Sequence, residues 1–116
     1  MRGKKIVLDL EFIPYRRKQE PYCIHEIIEI GAVALDAKNE IYDEFQMYVK
    51  PQYGTVPPFV TAITGITNEM LVGQVSFSEA MQAFEAWLPQ KEPYRFYTWS
   101  GSDQHVFQAE AEWKER

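Results

Sequence analysis

The sequence predicts an α/β fold, and three observations carry the prediction. Apolar, β-branched runs stand at Lys5–Leu10, Ile27–Leu35 and Ile41–Val49; a stripe of apolar residues at helical spacing covers Phe77–Leu88; and a short aromatic run, Arg95–Trp99, follows that stripe. Two acids, Asp9 and Glu11, interrupt the first run, and the rest of the chain is best understood around them.

Lys5–Leu10 has no Gly or Pro and is predicted as a buried first strand. Side chains of a strand alternate between faces, so Asp9 and Glu11 project from the same side. Side by side they repel, and one is driven toward its protonated form unless a cation neutralises both. A divalent metal suits such a pair, although Asp-x-Glu alone is also what an ordinary solvated strand end looks like. Pro14–Pro21 breaks all periodicity and is predicted as an exposed loop; it carries Arg16-Arg17-Lys18, the densest basic run in the chain, which is either solvated surface or a contact for a polyanion.

Ile27–Leu35 and Ile41–Val49 are joined by Asp36-Ala37-Lys38-Asn39-Glu40, a connection of hairpin length, so these strands are predicted to pair antiparallel. Glu29 inside the second strand is assigned to an ordinary polar face or to a neighbouring base, outside the site. Pro51–Pro58 reads as a loop whose final prolines open a short helix over Phe59–Ile63, ended by Gly65. Thr67–Leu71 suits another short helical turn. Ser76 and Glu79 have capping-box spacing ahead of Phe77, Ala80, Met81, Phe84, Trp87 and Leu88, a stripe assigned to core packing that ends at Pro89. Arg95–Trp99 is predicted as a fourth strand. Ser102 then caps a second helix with Asp103 in its first turn, where an acid also complements the helix dipole.

With 116 residues, 46% of them hydrophobic, the chain fits one domain, 1–116, with an ordinary core. Its single cysteine, Cys23, makes no internal disulfide, and no apolar stretch suits a membrane span or a signal peptide, so the expected home is cytoplasmic. A net charge of −5 argues against gripping nucleic acid with a broad basic face. It leaves room for an enzyme that holds phosphates through metals, because such an enzyme needs clustered acids.

The order of four segments resembles a family. Leu8-Asp9-Leu10-Glu11, Glu26-Ile27-Ile28-Glu29-Ile30-Gly31-Ala32-Val33, Ile63-Thr64-Gly65-Ile66-Thr67 and Tyr97-Thr98-Trp99-Ser100-Gly101-Ser102-Asp103 are similar to the DEDD exonucleases of the ribonuclease H-like fold. The nearest flavour is the DnaQ-like 3′ to 5′ branch with the histone mRNA exonuclease and KapD-type proteins. The resemblance implies a mixed sheet, three strands antiparallel and the fourth parallel to the first, with flanking helices. It implies two Mg2+ or Mn2+ ions roughly 4 Å apart hydrolysing phosphodiesters. Asp9 would bridge them, with Glu11 on the nucleophile-side ion and Asp103 on the leaving-group side. The backbone at Leu10, the side chain of Phe12 and the Ile63-Thr64 segment would face the terminal nucleotide of RNA or single-stranded DNA.

The family's third motif, His-x-x-x-x-Asp, has no counterpart in these residues. His25 is assigned to a loop before the second strand. His105 would point away from Asp103 by about 200° of helical rotation, and both are assigned to the surface. The chain is therefore expected to be an incomplete exonuclease, weak or inactive alone, lacking the last strand and helix of the fold. The alternative is a non-catalytic nucleotide-binding or oligomerising module. The edge Phe96-Tyr97-Thr98-Trp99 is expected to be covered by a second copy or by a completing C-terminal segment.

Overall fold

The computed structural model describes residues 4–15 and 24–98. Strands β1 (Lys4–Tyr15), β2 (Ile24–Leu35), β3 (Ile41–Tyr48) and β4 (Tyr94–Thr98) form one sheet in the order β3-β2-β1-β4. β2 runs antiparallel to both β1 and β3, and β4 runs parallel to β1, which is the mixed arrangement predicted above. Helices α1 (Pro58–Thr64), α2 (Asn68–Leu71) and α3 (Phe77–Trp87) all lie in the connection between β3 and β4.

Each helix starts where local chemistry dictates. Pro57 and Pro58 open α1, and Gly65 closes it at φ +79°, a left-handed conformation that a side chain disfavours. The Thr67 hydroxyl accepts from the Met70 N–H at the start of α2. Ser76 and Glu79 complete a reciprocal capping box on α3. An eleven-residue helix is marginal alone, and the cap contributes only about 1 kcal/mol. Burial decides the matter: Phe77, Ala80, Met81, Phe84 and Leu88 all sink into one face of the sheet, at roughly 1.5–3 kcal/mol for each large side chain.

The two faces of the sheet carry separate cores. Ile6, Leu8 and Leu10 of β1 join α3 in the main cluster, whereas Ile13 belongs to a second cluster with Ile28, Val56, Val60, Ile66 and Leu71. By strand alternation Ile13 shares its face with Asp9 and Glu11. A bulge makes this possible: Glu11 pairs with Glu29 and Phe12 with Ile27, so Ile28 is an extra residue in β2 and turns toward the second cluster while Ile27 and Ile30 stay in the first. Helices α1 and α2 thus seat on the acid-bearing face, and α3 on the reverse.

Several strand limits differ from the sequence prediction. β1 continues through Pro14 and Tyr15, paired with His25 and Ile24, so these two residues are strand and not the predicted loop, and His25 lies in β2, not before it. Among the described residues β4 pairs with β1 from Lys4 to Leu8, and Pro14 lies beyond that pairing. Val49 leaves β3 for an isolated parallel bridge with Val75. The fourth strand begins one residue early, at Tyr94; Trp99, the basic run Arg16–Lys18, Cys23 and the predicted helix with Ser102, Asp103 and His105 lie outside the described residues. No helix among the described residues is long and apolar enough to cross a membrane.

Two surface carboxylates hold local turns. Asp36 accepts from the Glu40 and Lys38 N–H groups in the β2–β3 hairpin, and Glu79 accepts from the Ser76 N–H and hydroxyl; those bonds hold both carboxyls below their ordinary values of 3.8 and 4.5. A depressed folded-state value means stability that is present above the unfolded value and lost as pH falls through the folded one. Urea midpoints measured from pH 6 to pH 2.5 are expected to fall below about pH 4.5. Asp36→Asn combined with Glu79→Gln should flatten that fall; an unchanged acid limb would remove the assignment.

Candidate active site

Asp9 is exposed and Glu11 half-buried, both on the face of β1 that carries α1 and α2 further along. Across the sheet Asp9 pairs with Gly31, which pairs in turn with Gln46; Glu11 pairs with Glu29, and Glu29 with Tyr48. Gly31 matters here because an added Cβ would lie 3.3 Å from the Asp9 carbonyl oxygen, so any side chain would crowd the strand that carries the acids. Glu29 stands on this face as a third acid, and its Oε2 accepts from Gln46 Nε2 at 2.8 Å. The partner of Glu29 is therefore an amide and not a base.

Among the described residues no cluster of three His, Cys, Asp or Glu side chains is gathered tightly enough to hold a metal ion. Asp103, the third predicted ligand, lies outside them. What the structure brings together is the pair Asp9 and Glu11, with Gly31 opposite Asp9 on the neighbouring strand. Carboxylate oxygens without thiolate or imidazole fit a hard divalent cation such as Mg2+ or Mn2+.

The four residues assigned to substrate are placed differently from one another. The Leu10 side chain is buried in the main core at 4% exposure, so only its backbone is available to a ligand. Phe12 also packs against the main core, with its ring edge-on to His25 at 5.2 Å between centroids. Ile63 is 80% exposed on α1. The Thr64 hydroxyl is already engaged, donating to the Val60 carbonyl at 2.8 Å and accepting from the Ile66 N–H at 3.1 Å.

Glu26, which opens the second matched segment, has no role of its own in the sequence analysis. Glu26 is fully buried and accepts backbone N–H groups from Gln52, Tyr53 and Gly54. An acid placed directly before the apolar run Ile27-Ile28 was the available signal, because a charge drawn into a core is retained only if the fold supplies partners.

A mixed four-stranded sheet, two carboxylates two residues apart on its first strand and a helical pair on the same face define a nuclease-like α/β domain. The chain belongs to the RNase T exonuclease family, which matches residues 6–96. It is 37% identical over 81 residues to the DNA polymerase III subunit epsilon of Pasteurella multocida (strain Pm70), covering 70% of this chain and 32% of that protein. It is 34% identical over 82 residues to the human 3′-5′ exoribonuclease 1, covering 69% of this chain and 24% of that one. The chain thus spans about a quarter to a third of these relatives. Among solved structures, a full-length 3′-exonuclease superimposes with a TM-score of 0.79 at 25% identity, over 97% of this chain and 53% of the other. A 3′-exonuclease recognising the 3′ end of a histone mRNA stem-loop gives the same score and identity over 41% of its length. The E. coli Exonuclease I complex with a dT13 oligonucleotide shares the fold at a TM-score of 0.71 and 15% identity.

Proposed function

We propose that these residues form the first part of a metal-dependent 3′ to 5′ exonuclease domain acting on RNA or single-stranded DNA. The observation that carries the reading is the pair Asp9 and Glu11 on one face of β1, beside α1, in a chain of the exonuclease family. Asp9, Glu11 and Asp103 are the metal ligands on this reading. Mg2+ or Mn2+ held there would stabilise the charge that develops on the scissile phosphate and acidify the attacking water. The backbone at Leu10 and the Ile63-Thr64 end of α1 orient the terminal nucleotide, with Ile63 offering the most exposed apolar surface, while the Phe12 ring packs with the main core on the reverse face and is left out of this contact.

No His-x-x-x-x-Asp occurs in the 116 residues, so this segment supplies carboxylates but no general base of that motif. A positioned base contributes about 10²- to 10⁴-fold, and hydrolysis by the segment alone is weak on that account. The edge of β4, with Phe96 and Tyr97 about half exposed, takes either a second copy or a further strand. Lone Cys23 suits the reducing cytoplasm.

The test uses single-stranded RNA and DNA labelled at the 3′ or the 5′ end, with Mg2+, Mn2+ or EDTA. The chain is assayed alone and with a segment carrying His-x-x-x-x-Asp supplied in trans, after sedimentation has fixed its association state. Metal-dependent release of the 3′ label, enhanced by the added segment, is the expected result. Binding without release in every format favours the non-catalytic module, and release that ignores EDTA overturns the proposal.

A further inference from the structure

The only charged side chain among the fully buried residues described is Glu26, on the strand behind the acid pair. Its Oε1 accepts from the Gly54 N–H at 2.7 Å and its Oε2 from the Gln52 N–H at 2.9 Å, while the Tyr53 N–H lies 3.2 Å from both oxygens. Three successive amides turned inward make a concavity for an anion. A carboxylate fills it with acceptors on both oxygens. A glutamine of the same shape would offer one oxygen and would set an NH2 group against a donor.

The loop held in this way leads into α1. Its far end is fixed independently: the Val56 N–H donates to Asn68 Oδ1 at 2.8 Å, and Asn68 Nδ2 donates to the Val56 carbonyl at 3.1 Å. Between α1 and α2, the Thr61 hydroxyl donates to the Ile66 carbonyl at 2.7 Å. Val56 and Val60 then pack on Ile13, two residues beyond Glu11 and on the same face of β1. The carboxylate of Glu26 and the carboxamide of Asn68 therefore hold the two ends of Gln52–Val56, and with them the height of α1 above the acid pair.

We infer that Glu26 is a positioning residue for nucleotide binding: its buried carboxylate sets the loop Gln52–Val56 and so places the Ile63-Thr64 end of α1 relative to Asp9 and Glu11. The inference rests on the exonuclease reading. It concerns the oligonucleotide and not the metal, because the backbone amides that bond Glu26 belong to the loop that leads into α1.

The full chain, Glu26→Gln, Asn68→Ala and Asp9→Ala are compared by three measurements: circular dichroism, Mn2+ titration by calorimetry, and fluorescence anisotropy of a 3′-exposed single-stranded RNA 12-mer in Ca2+. Glu26→Gln is expected to weaken RNA binding by about ten- to a hundredfold, as misplacement by about an ångström does, with Mn2+ affinity unchanged. Asn68→Ala, acting from the other end of the same loop, should reproduce that split and carries the test if Glu26→Gln does not fold. Folded variants that bind the RNA as tightly as the parent overturn the inference while leaving the exonuclease reading intact. Mn2+ binding that survives Asp9→Ala overturns the metal site instead, and a parent chain that binds no RNA overturns both.

Discussion

Replacing Asp9 by Ala is expected to remove measurable Mn2+ binding and to abolish any metal-dependent release of 3′-terminal nucleotides, with the thermal midpoint changed little. Asp9 is exposed and pairs across the sheet with a glycine, so truncating it opens no cavity and orphans no buried partner. Loss of a partner outside the ligand shell commonly weakens metal binding by 10- to 100-fold; a direct ligand should exceed about 100-fold. Glu11→Ala should weaken metal binding as well, with a larger cost to stability because Glu11 is half-buried. Calorimetric titration with Mn2+ alongside urea unfolding separates the two effects. An Asp9→Ala variant with parental Mn2+ affinity would leave the acid pair as solvated surface.

The largest stability effect is expected at Phe84. This ring is 2% exposed, stacks on Trp87 at 5.9 Å between centroids and touches Phe45 at 5.4 Å, joining α3 to β3 through one aromatic group. Phe84→Ala removes the buried ring and leaves a cavity beneath the sheet, at about 3–5 kcal/mol. Against a total of roughly 5–15 kcal/mol for a domain, that is about a fifth or more of the margin. Urea denaturation should show the midpoint falling with little change in slope. A loss under about 1 kcal/mol would mean that α3 is held by something other than this cluster.

What could be learned from the residues alone follows the range of the interactions involved. Helix limits at Pro58, Gly65 and Ser76 were legible because caps and prolines act within a few residues. The shared face of Asp9 and Glu11 was legible from the two-residue period of a strand. Continuation of β1 through Pro14 was not, because it depends on pairing with Ile24 and His25 from a different segment. The side of the sheet that α1 occupies was hidden for a similar reason: it turns on the single extra residue Ile28, and hydrophobic spacing cannot distinguish a bulge from a slip of register. Glu26 was overlooked because its partners are main-chain amides, which carry no signature in the sequence.

Because α3 closes one side of the sheet while α1 and α2 build a second core on the side of the acids, the domain has one footing for each face. Only the exposed positions between Gln52 and Leu71, such as Ile63, can vary at little cost to the fold, because Val56, Val60, Ile66 and Leu71 belong to the second core.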